Sequence, residues 1–320
     1  MLTFARRILH ALGLLLAVSL LTFLLLSLAP GNFYDELRLN PQISQKTVDI
    51  LKASYGMDRP WPIRYFRWLS SVARGEFGYS LSYNCPVGAL LWVRARNTLL
   101  LTSLATLLAW IVALPWGTLE ALHRGGWIDR IGAAAIALLL GIPDVLLGLL
   151  LMLLAARTGF LPTGGMSSTN GASLSTLGQG KDLAVHLLLP VTGLALGLIP
   201  ILARHVRSAM IQVLDKPYIQ AARGYRIQPF RLLYRHALPA AMNSLLSLLG
   251  FSLGALLSMS LLMEVIMSWP GLGPLLLEAL LARDVYVVMA GVLLSSVFLV
   301  AGNLIADFLL YLHDPRIRTV

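Results

Sequence analysis

Long apolar blocks, separated by shorter polar segments, dominate the sequence. They cover residues 8–29, 98–119, 131–155, 183–203, 245–267 and 285–312. A run of about 20 apolar residues forms a helix about 30 Å long, which matches the hydrocarbon core of a bilayer. Lipid offers the backbone no hydrogen-bond partners, so each block is expected to be helical. The pattern predicts an all-α integral membrane protein with six transmembrane helices.

The composition favours a membrane protein over a soluble one. Hydrophobic residues make up 57% of the 320 residues and charged residues only 12%, whereas soluble domains contain roughly 25% charged residues. The first block follows Arg6 and Arg7, as in a secretory signal. It is longer than the ~7–15 apolar residues of a cleaved signal peptide. We interpret it as a retained first helix.

The formal net charge of +10 is typical either of a nucleic-acid-binding protein or of basic loops that set membrane topology. In a chain this apolar, Lys and Arg are expected to mark the cytoplasmic loops, so no nucleic-acid partner is predicted. The loop 204–243 alone carries seven Arg and Lys residues. Arg94 and Arg96, near the second block, lie on the opposite side and count against this orientation. The larger number of basic residues on one side predicts a multi-pass membrane protein that is surrounded by lipid and has both termini in the cytoplasm.

The blocks divide the chain into four segments. Residues 1–29 are the N-terminal end and the first helix, and residues 30–97 are an external segment with short helices predicted at 44–55 and 62–74. Residues 98–312 are a five-helix core that includes the cytoplasmic loop 204–243. Its Ser-, Thr- and Gly-rich outer loop at 166–180 is expected to be flexible. Residues 313–320 are a cytoplasmic tail.

Motifs of catalysis and nucleotide binding are absent from the sequence. There is no His-Glu-x-x-His, no Gly-x-Ser-x-Gly and no Gly-x-x-x-x-Gly-Lys-Ser/Thr, the patterns typical of zinc proteases, serine hydrolases and phosphate-binding loops. We therefore expect no catalytic residue, no metal site and no cofactor in this chain. If ATP drives its activity, another subunit must bind the ATP.

The loop 204–243 is the most informative segment. A short helix is predicted at 218–223, where Ala221 and Ala222 form a small face that a partner can approach closely, and Gly224 is expected to break it. A second helix is predicted at 230–237, with Pro239 marking its end. The pattern fits either a protruding knob that docks another protein or a basic loop that serves only topology.

Two motifs in this loop resemble those of a known family. Gln220-Ala221-Ala222, followed by His236-Ala237-Leu238-Pro239, is similar to the Glu-Ala-Ala loop of ABC importer permeases. The resemblance extends nearly end to end to the B-type subunit of the dipeptide, oligopeptide and nickel permeases. The further matching segments are 55–60, 65–69, 74–80, 268–273, Asn303, Asp307 and 314–318.

The resemblance implies a type I ABC importer permease fold, in which this loop docks into a groove on a cytoplasmic ATPase. Two departures concern the loop itself. Gln220 stands where the family has Glu or Thr, and the family's loop glycine falls at Arg226. The residues implied to couple to the ATPase are Gln220, Ala221, Ala222, Arg223, Gly224, Arg226, His236, Leu238 and Pro239.

The implied assembly contains several partners at a bacterial plasma membrane, which is the inner membrane in a Gram-negative cell. These are a second permease subunit or a second copy of this chain, two cytoplasmic ATPase subunits that bind ATP and Mg, and an external substrate-binding protein. The family moves peptides, nickel complexes and sugars, and peptides are expected from family frequency. The alternative is a self-sufficient ion-coupled carrier or channel. An intramembrane enzyme is disfavoured because catalytic motifs are absent.

Polar residues inside the apolar blocks are further candidates. Asp144 lies mid-block after Pro143, which permits a kink; a charge there is costly unless paired or hydrated. It either faces the substrate pathway or is protonated or bonded to a neighbouring helix. Glu264 is a second pathway candidate, for which helix packing is the favoured interpretation. Trp269, Pro270 and Gly271 are expected to form an external turn before the last span.

Overall fold

The computed structural model describes residues 2–28, 60–80 and 82–313. The predicted helix at 44–55 and the family-like segment 314–318 lie outside these residues. Within them the chain is almost entirely helical, which confirms the predicted fold class. The helices are α1 (Leu2–Leu28), α2 (Trp61–Val72), α3 (Val87–Leu122), α4 (Trp127–Gly141), α5 (Asp144–Thr158), α6 (Thr176–Leu214), α7 (Pro217–Gly224), α8 (Pro229–Leu232), α9 (Leu238–Ile266), α10 (Leu272–Leu281) and α11 (Val285–His313).

Five of the described helices are long and apolar enough to cross a membrane, namely α1, α3, α6, the continuous segment from α8 through α9, and α11. The pair α4 and α5, which is bent by 95°, adds a sixth crossing if its two helices form one broken span. The single apolar block predicted at 131–155 is therefore two helices, and the kink permitted by Pro143 is a sharp bend. The break falls at Ile142, which is extended (φ −94°, ψ 119°), because the ring of Pro143 disfavours the helical conformation of the residue before it.

The observed helices extend well beyond the apolar blocks. α3 has 36 residues and α6 has 39, so at 1.5 Å per residue each is more than about 50 Å long, longer than a bilayer core is thick. The prediction of a flexible loop at 166–180 is wrong at its end, where α6 begins at Thr176. Ser175 caps that helix by accepting a hydrogen bond from Gly178 N at 3.3 Å, which satisfies one of its free amides.

The described chain separates into two compact units. One contains the residues up to Asn97 together with Gly271–Phe298, and the other contains Thr98–Pro270 together with the residues from Leu299. In the first unit, Phe23, Tyr65, Trp68 and Met289 form a buried cluster. The helix predicted at 62–74 is confirmed there as α2.

A two-stranded hairpin in the first unit precedes α3. Its strands β1 (Tyr79–Ser80) and β2 (Cys85–Pro86) are antiparallel, with Tyr79 opposite Pro86. Ser80 Oγ donates to Asp284 Oδ2 at 2.7 Å, and Tyr83 donates to the carboxylate of Glu278. Burial and this hydrogen bond raise the pKa of Tyr83 to about 12, so its hydroxyl remains a donor at neutral pH.

The core of the second unit lies along α6, whose buried residues include Leu194, Leu198 and Leu202. Helix α3 approaches α6 closely at Gly117. A Cβ added there would lie 2.4 Å from the carbonyl oxygen of Ala203 and 2.9 Å from the amide nitrogen of Arg207. Both neighbours are backbone atoms, which cannot move aside as a side chain can.

We expect Gly117→Ala to destabilise the protein by about 1–3 kcal/mol, because overpacking forces backbones apart. Gly180→Ala in α6 is the matched control, since a Cβ there meets open space; alanine should be neutral or stabilise by up to ~1 kcal/mol. Thermal unfolding of the purified protein in detergent measures both. Equal unfolding temperatures for the two variants would contradict the close approach.

Candidate functional site

The residues between α6 and α9 form a compact projection, which we call the knob (residues 217–237). Its first part, α7, begins at Pro217, which suits a first helical position because its missing N–H has no partner to lose. Ile219 is fully buried and belongs to one cluster with Met210 of α6 and Leu232 of α8. A predicted helix at 218–223 is thus confirmed, and its buried residue anchors it to the end of a long apolar helix.

The two alanines of α7 differ in their surroundings. Ala221 is exposed, whereas Ala222 is partly buried and packs against the cluster that contains Ile219. Gln220 is also exposed, and its Nε2 donates to the carbonyl of Asp215 at 3.3 Å. The face that a partner can reach therefore includes Gln220 and Ala221 rather than both alanines.

The turn after α7 is made by Arg226 and not by Gly224. Gly224 is the last helical residue, whereas Arg226 has φ +53°, in the left-handed region that favours glycine. The turn is closed by hydrogen bonds from the amide of Tyr225 to the carbonyl of Ala221 at 3.0 Å and from the amide of Ile227 to the carbonyl of Ala222 at 3.4 Å. The helix therefore ends at Gly224, as predicted, while the left-handed residue of the turn is Arg226.

We expect Arg226→Gly to be more stable than Arg226→Ala by about 1 kcal/mol, because only glycine adopts a left-handed conformation without a steric cost. Both variants remove the guanidinium, so their difference isolates the backbone. Thermal unfolding in detergent measures it. An alanine variant as stable as the glycine variant would show that φ is not strained at this position.

The second helix predicted in the loop 204–243 does not end at Pro239. α8 passes through a π-helical turn at Leu233–Ala237 directly into α9, so the predicted helix end is wrong. The amide of Leu238 donates to the carbonyl of Leu233, five residues back, and such widened turns interrupt the regular ladder. Pro239 has no amide hydrogen to donate, and the first turn of α9 accommodates it. His236 and Leu238 are partly buried, and Pro239 is exposed.

The exposed surface of the knob combines aromatic rings with arginines. Tyr225 is 84% exposed and Phe230 72% exposed, and the Phe230 and Tyr234 rings lie 4.3 Å apart. Aromatic residues and arginine are enriched in protein interfaces, whereas a loop that serves only topology has no use for exposed rings. The exposed arginines of the knob are Arg223, Arg226, Arg231 and Arg235.

A buried ion-pair cluster lies about three helical turns before the knob. Arg207 of α6 donates to Asp129 of α4 through Nε at 2.7 Å and an Nη at 2.8 Å, and Gly125 N donates to the same carboxylate at 2.8 Å. Glu120 of α3 is 1% exposed, with one carboxylate oxygen 3.9 Å from the Arg207 Nε. The other oxygen accepts from Trp116 Nε1 at 2.8 Å.

This cluster joins α3 and α4 to α6, the helix that leads into the knob. From the sequence, Lys and Arg are expected only to mark topology, and the missed signal is the occurrence of two acids, Glu120 and Asp129, beside the ends of apolar blocks. Gly132 provides the space for the cluster, since a Cβ there would meet the Glu120 carboxylate at 1.9 Å. Asp215 and Arg124 form a further ion pair at 3.1 Å, and both are exposed.

The other predicted site residues lie away from the knob. Asp144 is the first residue of α5, and its side chain is exposed next to Gly197 of α6, where an added Cβ would lie 2.8 Å from Oδ1. Glu264 is fully buried near the end of α9, so no open groove reaches it in this conformation.

The predicted turn at 269–271 follows α9. Trp269 is fully buried, and its amide donates to the Glu264 carbonyl at 2.8 Å. Gly271 caps α10, a short helix before the last span that the sequence analysis did not predict.

Two family models together match residues 1–319 of the chain. The model for the binding-protein-dependent transport system inner membrane component matches residues 105–319, and the model for the N-terminal part of such membrane components matches residues 1–110. The oligopeptide transport system permease protein AppB of Bacillus subtilis is 35% identical over 98% of each chain. The dipeptide transport system permease protein DppB of Alkalihalophilus pseudofirmus is 32% identical over 98% of each chain.

The fold has a solved counterpart. A chain of the MetNI methionine ABC transporter, solved in inward-facing conformations, matches with a TM-score of 0.58 over 70% of this chain and 96% of its own, at 19% identity. The fold predicted from the Gln220–Pro239 motifs is therefore confirmed. With two family models that span the chain, and relatives that match it nearly end to end, the protein belongs to the binding-protein-dependent inner membrane components, the permease subunits of ABC importers.

Proposed function

We propose that this permease moves short peptides across a bacterial plasma membrane and that separate cytoplasmic ATPase subunits, docked on the knob, drive the movement. The observation that carries the proposal is the construction of the knob: α7 is anchored through fully buried Ile219 yet presents Ala221 and the ring of Tyr225 on its surface. The curated relatives named as oligopeptide and dipeptide permeases support the peptide class.

Movement of the knob can be transmitted to the membrane helices because the chain connects them directly. The knob is continuous with α6 on one side and with α9 on the other, so a partner that moves the knob moves two helices at once. The Arg207–Asp129 pair extends this connection to α4. The permease itself then acts by changing conformation, and a ligand shifts its states only by binding one of them more tightly.

The proposed assembly contains a second permease subunit or a second copy of this chain, two ATPases that hold ATP and Mg, and an external substrate-binding protein. Both termini are placed on the cytoplasmic side, which requires an even number of crossings. The bent pair of α4 and α5 supplies the sixth crossing as one broken span.

Reconstitution of the permease with its genomic-neighbour ATPases and binding protein in proteoliposomes tests the proposal. The expected result is uptake of a labelled tripeptide only when ATP, Mg and the binding protein are all present. Uptake by the permease alone, driven by an ion gradient, would instead establish the carrier alternative and overturn the ATP-driven mechanism.

A further inference from the structure

A polar groove lies between α6 and α9, within the second unit and adjacent to the knob. Its cavity volume is about 380 Å³. The lining residues occur on each helix at intervals of three and four residues, which places them on one face. They include His205, Ser208 and Gln212 on α6 and Ser244, Ser247 and Phe251 on α9, together with three further apolar residues.

The polar side chains of this groove are exposed, although they belong to helices that are apolar enough to cross a membrane. Leu138 of α4 and Leu153 of α5, by contrast, are apolar side chains that are 68% and 50% exposed. His205, Ser208 and Gln212 lie beyond the apolar block 183–203, in the predicted cytoplasmic loop, and Ser247 and Phe251 lie at the start of the block 245–267. Lipid cannot hydrogen-bond to such polar side chains. The groove is therefore a surface for water and solute rather than for lipid.

The chemistry of the lining is neutral and rich in hydrogen-bonding groups. None of its residues carries a fixed charge, and His205 is its one titratable side chain. The Nδ1 of His205 lies 2.8 Å from the carbonyl of Ile201, which leaves Nε2 to face outward. Serine hydroxyls and the Gln212 amide both donate and accept hydrogen bonds, and Ser247 Oγ donates only to the backbone carbonyl of Asn243 at 3.1 Å.

We propose that this groove is part of the solute pathway on the knob side of the permease and binds the neutral amide groups of a peptide backbone. This inference rests on the proposed function and adds to it a site and a substrate chemistry. A lining with donors and acceptors but no fixed charge recognises the group that all peptides share and disregards the side chains that differ. Its position between the two helices that flank the knob places the solute where movement of the knob changes the width of the groove.

Thiol reactivity tests whether the groove faces water. In the reconstituted assembly carrying Cys85→Ser, single Ser208→Cys and Ser247→Cys variants are treated with a charged, water-soluble methanethiosulfonate, with Leu153→Cys as the lipid-facing control. The thiolate is the reactive form and needs water, so we expect the groove cysteines to react at least about tenfold faster. Rates equal to that of Leu153→Cys would show that lipid or a second permease chain covers the groove and would overturn the proposal.

Uptake tests the substrate chemistry. Gln212→Leu should lower uptake of trialanine about three- to tenfold, the loss expected for one neutral hydrogen bond, and Gln212→Asn should restore most of it. ATP hydrolysis stimulated by the binding protein should persist in both variants. Unchanged uptake by Gln212→Leu would sink the proposal, whereas failure of the unmodified assembly to take up trialanine would instead count against the proposed function.

Discussion

Ala221→Glu should abolish ATP-driven uptake without unfolding the protein. Ala221 is exposed on α7, so the glutamate finds room in the isolated permease, but at a docking surface it introduces bulk and a charge that has no partner. Such a change at the centre of an interface costs about 2–4 kcal/mol, which weakens docking roughly 30- to 1,000-fold. Uptake of labelled tripeptide into proteoliposomes, together with co-purification of the ATPase, measures the effect.

Ala73→Glu is the matched control for this change, because Ala73 is also exposed at a helix end, in the segment that we propose lies outside. It should transport as the unmodified protein does. Ala222 is the poorer choice for the test, since it packs against the buried cluster around Ile219 and its substitution would combine misfolding with loss of docking. Full uptake by a stably folded Ala221→Glu variant would eliminate α7 as the docking element.

Arg207→Ala should destabilise the permease strongly, by about 3 kcal/mol, because it leaves Asp129 buried without its charge partner. Asp129 is 7% exposed and receives two hydrogen bonds from Arg207, at 2.7 and 2.8 Å. Thermal unfolding in detergent measures the loss. The variant should also show ATP hydrolysis that is poorly linked to uptake, since α4 is no longer tied to α6.

Arg124→Ala provides the comparison for the Arg207 variant. It breaks the 3.1 Å ion pair with Asp215, in which both side chains are about 60% exposed, and exposed ion pairs contribute only about 0–1 kcal/mol. The two variants each remove one arginine from the same end of the molecule. If they unfold at the same temperature, the Asp129–Arg207 pair does not hold the helices together.

The sequence predicted the crossings because each depends on a local property, the length of an apolar run. It predicted the bend at Pro143 only as a permitted kink, since the 95° angle between α4 and α5 depends on how both helices pack on α6. The π-helical turn before Pro239 was missed for a similar reason. The missing amide hydrogen of proline predicts an interruption of the helix, but packing on the neighbouring helix determines whether the helix ends there or continues through a widened turn.

The candidate site likewise contains some features that local sequence predicts and others that only the folded chain determines. The alanines of α7 and the glycine displaced to Arg226 could be read from the motif, because a short helix and its turn are local. The Arg207–Asp129 pair joins residues 78 positions apart, and only the folded chain brings them together. The exposure of Tyr225 and Phe230 also follows from packing, since Ile219 determines which face of the knob is turned inward.

The most direct test of the central claim is photo-cross-linking from the knob in the assembled transporter. A photoreactive phenylalanine analogue at Tyr225, which is 84% exposed, is compared with the same analogue at Phe160, which is 86% exposed and lies in a segment that we propose is outside. Both positions already hold an aromatic ring, so the substitution perturbs neither. We predict that illumination links the ATPase to position 225 and not to position 160; an assembly active in ATP-driven uptake that gives no ATPase adduct at position 225 would contradict docking on the knob.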